Sequence, residues 1–327
     1  MNRKAVFAFF FAILLAIGVS FTLTGNSQAS SPHKKTAGSD PPFAINVTAA
    51  PYSAMCDGVT DDTSAIQAAL NAAPSTGARV QVPATAAGCK ITSTLTIPQH
   101  TILEGETPDT LIWYASNSNG PAIQIGSTTA SSPVDQLGGG LKDIGIIGNS
   151  SSGGLPNQVG VQISRALDTT LDNVFIEDTG IGLQVDGGST GLWTGETTVI
   201  NPMIQNVVTG VKFTDAGGTI TDFRMSGGYI YGVSTSSGYG IYAKDLHSSQ
   251  LTQYSVEHFN YGVYLDTGTQ NNQFFGGRAE SSGTKNGTHS YVCNGSGTKS
   301  TFWGPYDADV VTTAVTNTNS AACTLHS

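Results

Sequence analysis

Charged side chains are scarce in this sequence and make up only 11% of its 327 residues. Lys and Arg number 14 against 23 Asp and Glu, so the chain lacks the basic excess that binds nucleic acid or an anionic membrane. The same balance disfavours a strongly anionic polymer as substrate, unless a cation or a local basic patch intervenes. The composition therefore predicts no nucleic-acid partner and no membrane-surface partner.

Several catalytic motifs are also missing. The sequence contains no glycine-rich phosphate loop, no G-x-S-x-G elbow and no H-E-x-x-H motif. Its four cysteines include no C-x-x-C spacing and no nearby histidine, which makes a cysteine metal site a weak interpretation. P-loop, α/β-hydrolase and zincin-type chemistries are therefore set aside.

Long apolar runs are absent except at the N-terminus. Arg3 and Lys4 precede an apolar stretch from residue 5 to about residue 19, and Ser27 and Ala29 suit signal peptidase. We predict a signal peptide at 1–29. Without it the chain contains 12 basic and 23 acidic residues. The alternative is an uncleaved membrane anchor. Either way the folded part is predicted to be secreted, extracellular or periplasmic.

The even number of cysteines fits an exported chain. Cys56 and Cys89 flank the first folded segment, and Cys293 and Cys323 lie near the C-terminus. Two disulfides are expected, and the sequence-local pairs Cys56–Cys89 and Cys293–Cys323 are preferred among three connectivities.

The chain after the signal peptide has one convincing helix. Asp61 and Asp62 precede it, an apolar face follows at Ile66, Ala69, Leu70 and Ala73, and Pro74 and Gly77 end it. The expected organisation is a flexible leader at 30–44 and one β-helix domain at 45–327, divided into an N-terminal cap block at 45–115, regular turns at 116–285 and a C-terminal cap at 286–327.

The rest of the chain repeats short β-branched segments. A four-residue element begins at Gly160, Gly182, Gly210, Gly240 and Gly262, with apolar second and fourth positions. Such a strand has one buried face and cannot bury it alone, so stacked parallel turns are the economical solution. A β-sandwich is the alternative, but the hairpin turns that it requires are scarce here. The pattern predicts an all-β parallel solenoid with loops of varying length.

The segment 56–70, CDGVTDDTSAIQAAL, resembles the D-G-x-x-D-D-T-x-A-I-Q-x-A signature of the pectate-lyase-like superfamily. Val80-Gln-Val-Pro, Leu95-Thr-Ile-Pro and Thr101-Ile-Leu-Glu-Gly-Glu follow at that family's spacing, and the likeness covers residues 45–115. It implies a single-stranded right-handed parallel β-helix of the rhamnogalacturonase/epimerase-like kind, with the helix capping its open end. The polygalacturonase pattern of paired aspartates, Gly-His-Gly and Arg-x-Lys is missing. Asp57, Asp61 and Asp62 are interpreted as turn-forming and helix-capping residues.

A column of acidic and polar residues is the candidate catalytic site. Counting back five places from a repeat glycine gives Glu177, Gln205 and Glu257, and the next residues are Asp178, Asn206 and His258. Glu280 is predicted to extend the column beside Arg278. The candidate catalytic residues are therefore Glu257, Glu280, Arg278 and His258.

Two reactions suit this column. Carboxyl groups of Glu257 and Glu280 roughly 5 to 6 Å apart would suit a retaining glycosidase. Arg278 could instead stabilise an enolate during β-elimination, with Ca²⁺ at Glu177 and Asp178; a hydrolase would need no cofactor. A plain surface ion pair is the structural alternative.

Aromatic residues indicate a carbohydrate partner. Tyr229, Tyr242 and Tyr264 lie in a tyrosine-rich segment, and Tyr242 and Tyr264 occupy the outward third position of consecutive repeats, so their rings should stack. Trp193 lies in a glycine-rich loop, which either closes over a groove or folds back onto the wall of the solenoid. Such rings stack on sugar faces, although they also stabilise sheets by cross-strand pairing. The sequence therefore predicts a polysaccharide-active enzyme, a glycoside hydrolase or polysaccharide lyase. A non-catalytic glycan-binding protein or adhesin is the alternative.

Overall fold

A computed structural model describes residues 44–127, 136–150, 155–234, 237–280, 290–307 and 315–326. The predicted signal peptide and almost all of the predicted leader lie outside these residues. The described part contains one helix, α1 (Thr63–Asn71). Its strands are β1 (Ala44–Asn46), β2 (Ala78–Val82), β3 (Cys89–Ile91), β4 (Leu95–Ile97), β5 (Thr101–Gly105), β6 (Leu111–Tyr114), β7 (Gly120–Gly126), β8 (Gln136–Leu137), β9 (Gly140–Ile147), β10 (Gln158–Ser164), β11 (Ala166–Leu167), β12 (Thr170–Glu177), β13 (Ile181–Ser189), β14 (Trp193–Gly195), β15 (Thr198–Ile200), β16 (Met203–Val207), β17 (Thr209–Ala216), β18 (Thr219–Thr221), β19 (Arg224–Ser226), β20 (Tyr229–Gly232), β21 (Tyr239–Ala243), β22 (Leu246–His247), β23 (Gln250–Thr252), β24 (Ser255–Glu257), β25 (Tyr261–Leu265), β26 (Gln270–Phe275), β27 (Arg278–Glu280), β28 (Tyr291–Asn294), β29 (Lys299–Trp303), β30 (Tyr306–Asp307), β31 (Val315–Thr318) and β32 (Thr324–His326).

These strands form a parallel β-solenoid, which confirms the all-β parallel architecture predicted from the glycine repeats. Face 1 is a nine-stranded sheet in the order β4-β7-β10-β13-β17-β21-β25-β28-β31. Face 2 stacks β6, the C-terminal halves of β9 and β12, then β16, β20, β24, β27 and β30. Face 3 stacks β2, β5, the N-terminal halves of β9 and β12, then β15, β19, β23, β26, β29 and β32.

The core consists of columns of apolar side chains, one residue per turn. Alternate residues of each strand point inward, so equal positions of successive turns lie over one another. On face 2 the column of inward residues is at most 1% exposed throughout: Ile112, Ile146, Ile176, Ile204, Ile230, Val256 and Ala279. Each fully buried Ile or Val contributes about 1.5 to 3 kcal/mol of transfer free energy, so these columns stabilise the stack.

The repeat glycines stack on one another along face 1. A Cβ atom on Gly160, Gly182, Gly210 or Gly240 would lie 2.5 to 2.8 Å from the carbonyl oxygen of the next repeat glycine. That separation is too short for any side chain, because the neighbouring strand passes directly beside this backbone position. The recurring glycine of the sequence therefore marks the close approach of adjacent turns.

Single residues in the left-handed conformation form the corners of the solenoid. The corner between face 3 and face 2 has φ between 47° and 70° on successive turns, at Asp143, Asn173, Asn201, Gly227, Gln253, Gly276 and Gly304. Gly, Asn and Asp tolerate this backbone region best. The corner after face 2 is occupied in the same way by Asp178, Asn206 and His258. The left-handed backbone of the corners therefore explains why Asp, Asn and Gly recur in these columns.

The helix corrects one prediction. α1 has only nine residues, and Ile66, Ala69 and Leu70 are buried in the common core. It ends at Asn71, six residues before Gly77, and the described structure does not support its predicted role as a cap over the open end. A helix of two and a half turns is too short to cover the mouth of a three-faced solenoid.

The aspartates beside the helix form turns. Asp57 accepts hydrogen bonds from the backbone N–H groups of Thr60 and Val59, which hold the pKa of its carboxyl below the usual range. Asp62 makes no side-chain cap bond, contrary to the prediction of helix capping. Its carboxylate accepts the N–H groups of Met55 and Cys56 at 2.7 and 3.0 Å and so fixes the preceding loop instead.

Both predicted disulfides are present. Cys56 is bonded to Cys89 and Cys293 to Cys323, so one bridge lies near each end of the described solenoid. No helix within the described ranges is long and apolar enough to cross a membrane.

Candidate functional site

The outward residues of face 2 form the ladder that contains the predicted catalytic residues. Strand register pairs Glu177 with Gln205, Gln205 with Tyr231, Tyr231 with Glu257 and Glu257 with Glu280. The predicted neighbourhood of Glu257 and Glu280 on adjacent turns is therefore observed. Counting from the repeat glycines missed Tyr231, because the connection from β20 to Gly240 is longer than in neighbouring turns.

Arg278 lies between the two glutamates of this ladder. Its Nη1 contacts Oε1 of Glu257 and its Nη2 contacts Oε2 of Glu280. The side chains of Glu257 and Glu280 are 15% and 22% exposed, and that of Arg278 is 41% exposed. One guanidinium therefore bridges two carboxylates at the edge of solvent through charge-assisted contacts, and the group as a whole keeps one excess negative charge. We call these three residues the Arg278 triad.

Two hydroxyl groups complete the surroundings of Glu257. Ser255 Oγ donates a hydrogen bond to Glu257 Oε1 at 3.0 Å, and the hydroxyl of Tyr229 donates to Oε2 at 3.2 Å. Burial of the phenol, followed by the negative charge of Glu257, raises the pKa of Tyr229 to about 12. Tyr229 therefore stays protonated at neutral pH and orients the glutamate as a donor. The predicted sugar-binding residue Tyr229 therefore lies beside the predicted catalytic residue Glu257.

His258 lies next to the triad but points its ring elsewhere. Its Nδ1 is 3.0 Å from the carbonyl oxygen of Gly232, and its ring stacks on Tyr231 at a centroid distance of 5.0 Å. Its backbone N–H donates to the Glu280 carbonyl oxygen at 2.8 Å. With φ of 65°, the residue serves as a corner of the solenoid.

The predicted cation ligands lie further up the same face. Glu177 Oε1 accepts hydrogen bonds from the amide groups of Gln205 at 2.6 Å and Asn206 at 3.0 Å. Burial raises the pKa of Asp178, against an opposing hydrogen bond from Asn206. The amide groups present N–H donors to these carboxylates, whereas a cation requires oxygen acceptors around it. This arrangement does not favour Ca²⁺.

Tyr242 and Tyr264 do not join the face 2 ladder. They lie on face 1, where their rings stack at 6.0 Å as predicted for consecutive outward positions. Tyr239 and Tyr261 stack beside them at 5.2 Å. Tyr242 donates to Asp266 at 2.8 Å, and burial together with this bond raises the pKa of its phenol. The predicted sugar-binding tyrosines therefore occupy two different faces.

Trp193 does not lie on a projecting loop. It begins β14, pairs with Thr219 of β18 and is partly buried. Of the two interpretations of this segment, parallel pairing with the next turn favours the one in which Trp193 lies on the wall.

Cys56, Asp62 and Cys89 are the one group of potential metal-binding side chains found within the described ranges. The two sulfur atoms form a disulfide and the Asp62 carboxylate is already hydrogen-bonded to backbone N–H groups. This group is therefore structural.

A groove that the sequence did not reveal lies at the N-terminal end of face 2. Its volume is about 400 Å³, and Trp113, Ile147, Phe175, Glu177 and Asp178 are among the residues that line it. Register stacks Trp113 on Ile147 and Ile147 on Glu177, so the groove continues the ladder of the Arg278 triad. The alternation of buried Ile112 and Tyr114 with outward Trp113 was the available signal in the sequence.

Comparisons with known proteins establish the fold alone. No family model matches the chain, and no curated protein matches its sequence. Among solved structures, the C387A mutant of DFA-IIIase from Arthrobacter chlorophenolicus A6 in complex with DFA-III aligns at a TM-score of 0.63 and 11% identity, over 81% of this chain and 67% of that one. The Streptococcus pneumoniae surface protein and adhesin PfbA aligns at 0.55 and 12%, over 87% and 100% of the two chains. Tailspike protein 2 from the Escherichia coli O157:H7 bacteriophage CAB120 aligns at 0.52 and 12%; 86% of this chain matches 42% of the tailspike.

Proposed function

We propose that the protein is an extracellular polysaccharide-active enzyme with a right-handed, pectate-lyase-like β-helix, and that its glycan lies along face 2. The observation that carries this proposal is the ladder of aromatic and carboxylate side chains on consecutive turns of that face. Aromatic rings contact the apolar faces of sugars, and carboxylates accept hydrogen bonds from their hydroxyl groups. Turns spaced about 4.8 Å apart present such groups repeatedly along one line, as a linear polymer requires.

The similar folds are compatible with this proposal. An enzyme named for its action on DFA-III, a phage tailspike and an adhesin share the solenoid. Their likeness is structural, so the substrate of this chain has to be argued from its own residues. The two disulfides support an oxidising compartment, in line with the predicted signal peptide.

We propose glycoside hydrolysis as the reaction, with Glu257 and Glu280 as the carboxylate pair. One carboxylate would attack the anomeric carbon while the other, protonated, transfers its proton to the glycosidic oxygen, and water would then release the sugar from the enzyme. For this step Arg278 has to leave one of the two carboxylates. Its partial exposure allows the guanidinium to turn toward solvent or toward the substrate.

Two other activities have specific support. Elimination from a uronate polymer would use Arg278 to stabilise the enolate, with Ca²⁺ at Glu177 and Asp178, although the amide donors around Glu177 weaken that version. A non-catalytic glycan-binding protein or adhesin is supported by the ion pairs of the Arg278 triad, in which the guanidinium contacts both carboxylates.

One assay distinguishes the three activities. Mature protein is incubated with a panel of polysaccharides, with and without Ca²⁺, while reducing ends and the ultraviolet absorbance of unsaturated uronates are followed together. New reducing ends without absorbance support hydrolysis, and both signals together support elimination. Binding without either signal on any polymer supports the adhesin.

The variants Glu257→Gln and Glu280→Gln test the assigned residues. Each should lower the hydrolysis rate by about 10²-fold or more, because acid–base and nucleophilic groups contribute at least that much. Glycan binding should be retained, since the amide preserves the shape of the side chain. Glu104→Gln is a matched control, because that glutamate pairs with Arg79 and Lys142 on face 3, away from the ladder. An equal loss in that variant would contradict the assignment.

A further inference from the structure

The groove at the N-terminal end of face 2 has the composition of a sugar-binding site. Trp113 is 45% exposed, and it lies between the buried residues Ile112 and Tyr114 of the same strand. Phe175 and Ile147 provide an apolar floor from the next two turns, and Asn149, Glu177 and Asp178 supply polar atoms at the rim. A volume of about 400 Å³ lies within the usual range for small-ligand sites, and it suits one sugar unit rather than a protein segment.

The indole ring of Trp113 is held in place from one side. A Cβ atom on Gly88 would lie only 2.8 Å from both Cδ1 and Nε1 of this ring, so the glycine allows the indole to pack on the backbone. Its register neighbours are Lys90 on the preceding turn and Ile147 on the next. A ring that is already ordered binds a sugar face with little loss of side-chain entropy.

The charges at the groove select against an acidic sugar. Asp109, Glu177 and Asp178 line it, and no Lys or Arg does so among the residues that the structure describes. A uronate carboxylate would meet these three like charges. Lys90, the register neighbour of Trp113 on the preceding turn, donates its ammonium group to the Val59 carbonyl oxygen. An uncharged sugar can instead donate its hydroxyl hydrogens to these carboxylates.

Resting on the polysaccharide activity proposed above, we propose that this groove is a binding subsite for an uncharged sugar unit, with Trp113 as the stacking platform. Five steps of the ladder, about 24 Å, separate Trp113 from Glu257. A glycan that occupies both positions spans several sugar units along the solenoid axis. The subsite therefore predicts action on the interior of a long, neutral polymer.

The experiment compares Trp113→Ala with Trp303→Ala by affinity electrophoresis. Trp303 is a matched control because it is 40% exposed but stacks between Phe275 and His326 on face 3. Gels contain a neutral β-glucan, a neutral galactomannan or polygalacturonate. The unmodified protein should be retarded by a neutral polymer more than by polygalacturonate.

Trp113→Ala should weaken that binding by about tenfold or more, as loss of an aromatic anchor does, while Trp303→Ala should change it less than twofold. Trp113→Tyr should restore most of the binding, and equal melting temperatures of the variants would exclude misfolding as the cause. Retention of binding in Trp113→Ala, or preference for polygalacturonate, overturns the subsite and leaves the polysaccharide activity standing. Absence of binding and of cleavage with every polymer overturns both.

Discussion

At the scale of single residues, the Arg278 triad determines the electrostatics of the candidate site. Arg278 contacts Glu257 and Glu280 at once, and Ser255 and Tyr229 hydrogen-bond to Glu257. Two carboxylates on adjacent turns would repel each other without the guanidinium. The triad is therefore a unit in which the loss of the cation costs more than the loss of a typical surface ion pair.

Replacing Arg278 by Gln should lower the free energy of unfolding by about 1.5 to 3 kcal/mol at neutral pH, the range for hydrogen bonds to charged groups. Adding Glu257→Gln should recover part of that loss, because only one carboxylate then remains without a cation. Denaturant unfolding measures both variants.

Arg79→Gln is the control, since Arg79 forms a surface ion pair with Glu104 at 3.2 Å and is 46% exposed. It should cost no more than about 1 kcal/mol. If Arg278→Gln costs the same as Arg79→Gln, the triad is not a coupled unit.

At the scale of elements, the repeat glycines explain why the stacked parallel turns could be predicted from the sequence. Stacked turns need a glycine where adjacent backbones approach, and alternating apolar residues for the core, so the sequence pattern and the structure agree turn by turn. The same repeat pattern predicted that Glu280 lies beside Glu257 on the adjacent turn, and the strand register agrees.

Features that depend on loop length or on distant turns were not predictable. Tyr231 was missed because the connection from β20 to Gly240 is longer than in neighbouring turns. The sequence left two positions open for Trp193, because its pairing with Thr219 depends on the next turn. Tyr229 and Tyr242 fall on different faces because they belong to consecutive strands of one turn, β20 on face 2 and β21 on face 1. The Trp113 groove combines three turns that lie about 30 residues apart in the chain.

Gly210→Ala tests the role of the repeat glycine. Its Cβ atom would lie 2.5 Å from the carbonyl oxygen of Gly240, so the free energy of unfolding should fall by about 2 to 3 kcal/mol. Gly276→Asn is the control, because nothing lies within 4 Å of that position and its φ of 56° is one that Asn tolerates. It should cost less than about 1 kcal/mol. Equal melting temperatures for the two variants would contradict the close-approach explanation.

At the scale of the whole molecule, the outermost strands among the described residues have a described partner on one side only. β31 and β32 are the last described strands of faces 1 and 3, and β32 is exposed along its length. Chain ends of this kind fray first, because each turn is stabilised by its neighbours. The disulfide between Cys293 and Cys323 connects the last described turns, and the one between Cys56 and Cys89 connects the first.

Replacing Cys293 and Cys323 together by Ser should lower the free energy of unfolding by about 3 to 4 kcal/mol, as expected for a closed loop of 30 residues. Amide hydrogen exchange should then become faster in β28, β29 and β31, while β10, β13 and β17 in the middle stay protected. Faster exchange spread evenly over the molecule would show that the bridge does not act locally.

The single-residue corners have a consequence for how such a wall can change. Since one left-handed residue sets each bend, the segments between corners can grow or shrink without disturbing the columns on either side, as the uneven glycine steps of 22, 28, 30 and 22 residues attest. A whole turn can by the same reasoning be duplicated in the middle of the stack. The wall would then lengthen by one sugar-sized increment while Trp113 and Glu257 kept their own neighbours, which makes the length of the recognised glycan an inheritable and adjustable property.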